Sequence, residues 1–345
     1  MKKRIKAAPA LGFLLLLVLI IAGAGKALAL SAGKRFIEEE KKMPETAMEG
    51  LLEDLVSGDF SDLYRETQAV RPNLDSEAGY TAYLEGLLDH YGREALTYRN
   101  VDGEWRIYAG DTYLAEAVVQ EDAEGNMCAA LPLEGNGTAI IEVPAGTELK
   151  INGNVLGKEY LKESDVPAVN CEQFPVTAEK VSVDVYEVGP LLGEPEADEW
   201  VLLKDVLSGH YLAGKEVTDE ALLEEMIRDA ELLAAYPAQD ASLAQVAAVS
   251  LTNTTWYSRY ATLQNYWFTS HSTSEFSNAQ VLKAVYQSDD VIAAHIVFDY
   301  YADNGEVHRT WHCGYQLTFV QTENGWKIAG TAINNELNPA TVLPQ

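Results

Sequence analysis

The apolar and polar positions of this chain follow three successive patterns. An almost unbroken apolar run covers residues 7–25, and its length is about that of a helix that crosses a bilayer. Between residues 44 and 92, apolar residues recur at helical spacing, which predicts two amphipathic helices ending at Gly58 and Gly92. From Leu96 onward, alternating runs between Gly-containing turns predict antiparallel strands.

In the later part of the chain, the spacing of the apolar residues again changes between helical and strand-like. Residues 137–207 keep a strand-like pattern throughout and therefore predict a small all-β domain. A third helical stripe opens at Thr218, a suitable N-cap, and stops before Pro237. Four strand runs follow, and the Asn-Gly pairs at 304–305 and 324–325 predict tight turns between antiparallel partners. The predicted strands cover 279–286, 291–301, 307–320 and 325–333.

Together these patterns predict an α+β protein with several segments. Its 345 residues, about 310 of them beyond the first segment, are enough for two or three ordinary domains. The predicted segments are a transmembrane anchor or signal segment (1–30), a stalk (31–43), a helix-plus-sheet domain (44–136), the small all-β domain (137–207) and a helix-then-sheet α+β domain (208–345).

The first segment also predicts a topology. Basic residues from Lys2 to Lys6 precede the apolar run, and such residues stay on the cytoplasmic side of a membrane. The chain after Ser31 is therefore expected outside the cytoplasmic membrane, held by a single-pass helix with a cytoplasmic N-terminus. A cleaved signal peptide is the other interpretation, because small residues at 22–24 and 27–29 fit a cleavage pattern.

Charge narrows the choice of partners. The chain has 53 acidic residues against 25 Lys and Arg, which gives a net charge of −28. Neutralising phosphates requires Lys and Arg, so nucleic acid and anionic lipid head groups are poor partners for the exported part. The negative charge suits a cationic ligand or partner, although it also serves solubility.

The cysteines and the common motifs predict no cofactor and no metal. Cys128, Cys171 and Cys313 allow one internal disulfide at most, for which Cys128 and Cys171 are nearest in sequence, and buried thiols are the alternative. Their spacing matches no zinc pattern. The sequence contains no phosphate-binding Gly-rich loop, no G-x-S-x-G and no H-E-x-x-H, so hydrolases of those classes are unsupported.

Four ionisable residues lie close together on two of the last strands. Alternation along both strands places His295, Asp299, His308 and His312 opposite the apolar residues, so a solvated sheet face is expected. His308 and His312 are about 13 Å apart along an extended strand, too far to bind one metal ion directly. The pattern therefore predicts no catalytic residue and no metal ligand, and it predicts that the four side chains are dispensable for folding.

An aromatic segment supplies the predicted binding residues. The aromatic rings of Trp256, Tyr260 and Trp267 suit the entrance of a ligand site, where one side is apolar and the other is exposed to solvent. His295 and Asp299 complete the predicted ligand-binding set. The alternative is that the rings belong to the core of the domain.

Residues 217–335, with helices before a long antiparallel sheet that ends in Gly325-Trp326-Lys327-Ile328, resemble the nuclear transport factor superfamily, a cone-shaped α+β fold. The segment 143–153 looks like the valine-asparagine-glycine turn of small extracytoplasmic β domains, with isoleucine in place of valine. Such domains occur beside transport-factor-like units in N-terminally anchored envelope proteins of Gram-positive bacteria, the teicoplanin-resistance-associated type among them. The superfamily includes isomerases and dehydratases as well as ligand-binding and structural modules.

These features predict a membrane-anchored extracytoplasmic protein, without catalytic activity, that binds a small ligand or a cell-envelope component. The alternative is a small-molecule isomerase- or dehydratase-like enzyme in the pocket of the C-terminal cone, with His295 or Asp299 transferring the proton. A third interpretation is a spacer that positions the terminal domain away from the membrane.

Overall fold

The computed structural model describes residues 39–93, 95–171, 181–264 and 270–342. These residues form a mixed α+β protein with mostly antiparallel sheets, and they divide into two compact units. The predicted membrane segment at 1–30 and most of the predicted stalk lie outside the described residues. Within the described ranges, no helix is both long and apolar enough to cross a membrane.

The first unit places helices against a small sheet. Its described part runs to Asn73 and then from Tyr80 to Leu133. The helices are α1 (Pro44–Ser57), α2 (Phe60–Val70) and α3 (Glu77–Tyr91), the last of which belongs to this unit from Tyr80 onward. The strands pair antiparallel in the order β1 (Leu96–Val101), β2 (Glu104–Ala109), β3 (Thr112–Glu121) and β4 (Met127–Ala130). Helices α1 and α2 both contact β4, so they cover one face of this sheet.

Helix α1 shows how local sequence sets the elements of this unit. It begins at Pro44, whose missing N–H is no loss in a first turn, where that group has no partner within the helix. It ends at Gly58, which adopts a left-handed φ of 82° as the sequence predicts. Met48, Leu51 and Leu55 form its buried stripe.

The second unit comprises Leu74–Gly79 and the chain from Glu134 onward, and its nine-stranded sheet curls around a core. Its strands are β5 (Gly137–Pro144), β6 (Lys150–Ile151), β7 (Asn154–Val155), β8 (Leu161–Pro167), β9 (Ser182–Leu191), β10 (Val201–Lys204), β11 (Tyr211–Glu216), β12 (Thr273–Ser288), β13 (Val291–Asp303), β14 (His308–Thr322) and β15 (Gly325–Ile333). Its helices are α4 (Glu220–Ala235), α5 (Leu243–Val249), α6 (Thr255–Tyr260), a 3₁₀ turn (Asn335–Leu337) and α7 (Pro339–Val342).

One sheet joins the two segments predicted at 137–207 and 208–345. Its strand order is β15-β14-β13-β12-β11-β5-β9-β8, with β10 paired to β11, while β6 and β7 form a separate ribbon. Strand β11 pairs in parallel with β5 and antiparallel with β12. Both predicted segments therefore lie in one compact unit and share its sheet. The described part of 137–207 contains strands and no helix, as its periodicity predicts.

Helices α4 to α6 cover one face of the long strands. Ile296 and Phe298 of β13 belong to the same buried cluster as Met226 and Leu233 of α4 and Tyr260 of α6. This cluster is the largest core of the second unit, and we call its side of the sheet the helix-covered face.

The opposite face of the long strands is covered by the β8–β11 region. Leu203 and Leu212 pack with Val285 and Ala293, which lie on β12 and β13. A second apolar cluster brings the chain after β8 and the start of β9 against β13, β14 and β15. Both faces of the C-terminal hairpins are therefore largely enclosed by the chain itself.

Candidate functional site

Asp299 and His312 form a hydrogen-bonded pair on the opposite face. They are directly across from each other in the β13–β14 register, and His312 Nδ1 lies 2.6 Å from Asp299 Oδ1. Asn278 Nδ2 donates to Asp299 Oδ2 at 2.8 Å, and Asn338 Nδ2 donates to Oδ1 at 3.3 Å. Burial alone would raise the pKa of Asp299, but the hydrogen bonds from Asn278 and His312 outweigh it and hold the pKa below its ordinary value. The carboxylate is therefore kept ionised by neighbouring donors.

His295 belongs to a different network on the same face. Gln316 Nε2 donates to Asp205 Oδ1, which fixes the orientation of the Gln316 amide. Gln316 Oε1 then accepts from the Val206 N–H at 2.8 Å and lies 3.1 Å from His295 Nε2. His295 Nε2 must consequently carry the hydrogen and donate it. Burial lowers the pKa of His295, although the bond to Gln316 opposes the shift.

The prediction that His295 and Asp299 lie on a solvated sheet face is wrong, because each residue is only 7% exposed. Their placement opposite the apolar residues of β13 is confirmed. Distant segments cover this face, namely the chain around Asp205 for His295 and the turn holding Asn338 for Asp299. Both side chains are therefore engaged in internal hydrogen bonds.

Two of the predicted aromatic residues, Trp256 and Tyr260, pack against the core of the helix-covered face. Trp256 stacks on Tyr260 with ring centroids 5.2 Å apart and an interplanar angle of 28°. The Tyr260 hydroxyl donates to the Leu233 carbonyl, so this ring is held within the core. Trp267 lies outside the described residues. The structure thus brings Trp256 and Tyr260 together, and the sheet separates Tyr260 from His295 and Asp299. Trp256 packs against the main core and also against the second apolar cluster on the opposite face.

A second histidine–carboxylate group lies at the edge of the helix-covered face, and the sequence did not indicate it. His271 Nε2 is 2.9 Å from Asp240 Oδ1, and the Tyr300 hydroxyl donates to Asp240 Oδ2 at 2.7 Å. The rings of Phe276 and Trp311 flank Tyr300, with centroids at 5.1 and 5.8 Å. A carboxylate that orients an imidazole and accepts from a phenol is an arrangement suited to proton transfer.

The electrostatics of this group follow from its hydrogen bonds. Burial would raise the pKa of Asp240, but hydrogen bonds from His271, Ser274 and Tyr300 lower it below its ordinary value. Burial, together with the negative charge of Asp240, raises the pKa of Tyr300. Asp240 is therefore the ionised member and Tyr300 the protonated one at neutral pH. We call these three residues, His271, Asp240 and Tyr300, the His-Asp-Tyr relay.

The first unit contains a cleft of about 300 Å³ between α1, α2 and the β3–β4 hairpin. Three carboxylates line it, Asp54 from α1, Glu66 from α2 and Asp122 from the hairpin, together with Lys41. Gly50 of α1 also lines it, and a Cβ added there would meet no atom within 4 Å. We call this site the acidic cleft.

The charges in the acidic cleft repel one another. Partial burial raises the pKa of Asp54, and neighbouring acids including Asp59 add to the shift. Burial also raises the pKa of Glu66, and Asp54 raises it further. The thiol of Cys128 responds in the same way, since burial and the charges of Glu66 and Asp122 raise its pKa. Burial and neighbouring acidic groups thus raise the pKa of these three groups, and the charge of Arg65 offsets the shift at Glu66 only in part.

The cleft carboxylates do not converge on one point. Across the described ranges, no three His, Cys, Asp or Glu side chains come close enough together to hold a metal ion. Cys128, Cys171 and Cys313, all of them within these ranges, form no disulfide with one another.

Comparison with protein families and with curated protein sequences found no match to this chain.

Proposed function

We propose that this chain is an extracytoplasmic binding protein, held at the membrane by residues 1–30, whose first unit binds an organic cation in the acidic cleft. The observation that carries the proposal is the cleft itself, about 300 Å³ in volume, whose lining includes the three carboxylates of Asp54, Glu66 and Asp122 and one cation, Lys41. This volume lies at the lower end of the range for small-molecule sites. The net charge of −28 supports the same class of partner, because it attracts cations over a longer range.

The spread of the carboxylates favours a ligand with several amino groups over a single metal ion. An ion pair that stays partly exposed contributes about 0.2–1 kcal/mol, so a few such pairs give weak binding that salt reduces. A polyamine and a basic peptide share the ammonium groups that such a site recognises. We therefore choose trilysine as the probe and the same peptide with acetylated side chains as its uncharged counterpart.

Replacing Gly50 by Phe is expected to weaken trilysine binding by about tenfold or more, a loss of about 1.4 kcal/mol. The new ring would occupy the cleft, because nothing lies within 4 Å of a Cβ at this position. The change is compatible with the fold, since Gly50 lies inside helix α1 without a left-handed φ. Calorimetric titration of the full chain in detergent would measure the affinity.

The matched control is Gly86→Phe. Gly86 lies inside helix α3, away from the cleft lining, and a Cβ there also meets no atom within 4 Å. This variant should bind trilysine like the unmodified chain. Equal weakening by both Phe variants, or equal binding of the acetylated peptide, would contradict the proposed site.

Two charge variants and a series of pH values provide further tests with the same calorimetric titration. Asp54→Asn and Glu66→Gln should each weaken trilysine binding, because each removes one attractive charge. The pKa values of both groups lie above their ordinary values of 3.8 and 4.5, and a bound cation favours the ionised form. Binding should therefore be complete above these raised pKa values and fade as the pH falls through them.

The location and the fold type are part of the proposal. The basic residues before the apolar run at 7–25 support a cytoplasmic N-terminus. Helices followed by four long antiparallel strands between Glu220 and Ile333 support a transport-factor-like unit. Protease added to intact cells should digest the exported part, and full protection would contradict the location.

A second candidate function rests on the His-Asp-Tyr relay. We propose, as the alternative, a small-molecule isomerase- or dehydratase-like enzyme in the second unit, with His271 rather than His295 or Asp299 moving the proton. The support is the Asp240 carboxylate, which orients the His271 imidazole beside an aromatic core. Incubating the chain with simple ketones in D₂O should exchange their α-hydrogens, and His271→Asn should stop the exchange. Equal exchange by the variant would exclude this role.

A further inference from the structure

Helix α4 carries a carboxylate in its buried stripe. Asp229 lies between Met226 and Leu233 in that stripe, next to Ala230, and it is only 7% exposed. Within the described part of the chain, its side chain makes no hydrogen bond and no ion pair. A buried carboxylate without a partner is costly, and such groups usually stay neutral instead.

The charged groups around Asp229 compensate its charge only in part. Glu225 precedes it by one helical turn and has the same sign. Arg228 is its neighbour in sequence, but the Arg228 side chain is 64% exposed. Lys327 of β15 is the cation that acts on it from another element, and its Nζ donates to the Ala248 carbonyl at 2.6 Å.

The other elements packed against α4 are β12, β13, α5 and α6, whose Tyr260 hydroxyl donates to the Leu233 carbonyl. The charged residue of α6, Arg259, is exposed. Helix α5 contains no charged residue. Lys283 of β12 and His295 and Asp299 of β13 lie on the opposite face of the sheet. Glu275, the remaining charged residue of β12, is exposed, and Asp303 at the end of β13 is bonded within the hairpin turn.

Burial is the largest cause of a raised pKa at Asp229, and Glu225 adds to it. Lys327 and Arg228 oppose the shift only in part, so the pKa rises from 3.8 to about 7. The burial, the missing partners and the raised pKa therefore agree that Asp229 binds a proton in the closed structure.

We propose that Asp229 is a proton-binding site that controls how firmly helix α4 covers the sheet. With the carboxyl protonated, α4 seats its apolar stripe on the helix-covered face. Ionisation leaves an unpaired charge beneath the helix, and opening of α4 exposes that charge to water. Helix α4 therefore opens more readily from the main core as the pH rises and Asp229 ionises.

The direction of this pH effect follows from comparing two states of α4, a closed state in which the helix packs on the sheet and an open state in which it does not. An open helix exposes Asp229, whose pKa is then the ordinary value of 3.8, whereas the closed structure holds the proton up to about pH 7. The proton therefore stabilises the closed state fully below about pH 4, and the effect is lost as the pH rises to about 7. Between pH 6 and pH 8, the opening equilibrium should increase about tenfold.

Hydrogen exchange of the backbone amides in the full chain would measure this opening. After correction for the intrinsic pH dependence of exchange, the amides of Leu222–Ala235 should open about tenfold more at pH 8 than at pH 6. Asp229→Asn cannot ionise, so its opening should not change between the two pH values. The amides of α3 in the first unit serve as the internal reference.

Glu224→Gln is the matched control, since it removes one charge from the exposed side of the same helix. It should keep the tenfold change of the unmodified chain. Equal protection of α4 at both pH values, or the same tenfold change in Asp229→Asn, would overturn the proposal. If Asp229→Asn fails to fold, the unmodified chain still decides, because a pH-independent α4 contradicts the proposal by itself.

Discussion

Replacing Phe298 by Ala is expected to lower the free energy of unfolding by about 3–5 kcal/mol. Phe298 is fully buried in the main core of the second unit. Its ring meets those of Phe276 and Tyr315 edge-on, with centroids 5.6 and 5.1 Å away. The surrounding rings are held in place by their own contacts, so a truncated side chain leaves a cavity. Urea denaturation of the full chain, followed by tryptophan fluorescence, would measure the loss.

Trp311→Ala provides the comparison for that experiment. The alternating patterns of β13 and β14 predict the same large cost for Phe298 and Trp311, but Trp311 is only partly buried and packs at the edge of the core. Arg309 also lies over its outer face, 5.1 Å from the ring centroid. We therefore expect a smaller loss, about 1–2 kcal/mol, because less apolar surface leaves water. Equal losses for the two variants would contradict this assignment of the core.

Elements that are determined by residues close together in sequence could be predicted from turn, cap and periodicity patterns. The Asn-Gly turn at 324–325 and the alternation after it give β15 with the predicted bounds, and Gly58 and Gly92 end α1 and α3 with left-handed φ values. Helix α2 was not predicted, because its buried stripe contains a polar residue. Thr67 is fully buried, and its hydroxyl accepts from the Leu131 N–H, a partner 64 residues away.

The candidate sites were harder to predict because they depend on contacts between distant segments. Periodicity assigned His295 and Asp299 to the correct face, but nothing near them in sequence indicates that Asp205 and Asn338 cover them. The parallel pairing of β5 with β11, which joins the two halves of the sheet, likewise cannot be predicted from either strand alone.

The His-Asp-Tyr relay illustrates the same limit. Tyr300 lies in the apolar stripe of β13, where a phenol needs a hydrogen-bond partner, but nothing in the sequence identifies Asp240 as that partner. Asp240 follows a helix end near Pro237, and His271 lies in a polar stretch without periodicity. Only the folded chain brings the three side chains together.

Replacing Asp299 by Ala is expected to cost about 2–4 kcal/mol at neutral pH, in contrast to the near-zero effect that a solvated face would give. The carboxylate accepts from Asn278 and is bonded to His312, so its removal leaves these two part-buried groups without their hydrogen-bond partner. Asn338 loses one bond but still donates to the carbonyls of Phe298 and Cys313. The substitution thus also releases one of the bonds that hold the turn around Asn338 against the sheet. Denaturant titration of the full chain would measure the difference.

The pH dependence and a control variant make this last prediction specific. The folded-state pKa of Asp299 lies below its ordinary value of 3.8, so its contribution is present above pH 3.8 and is lost as the pH falls through the lower, folded-state value. The stabilities of the unmodified chain and Asp299→Ala should therefore converge in acid. His308→Ala should stay within about 0.5 kcal/mol at every pH, because its exposed side chain lies beyond the covered part of the sheet. A loss at Asp299 as small as that at His308 would mean that this face of the sheet is open to water after all.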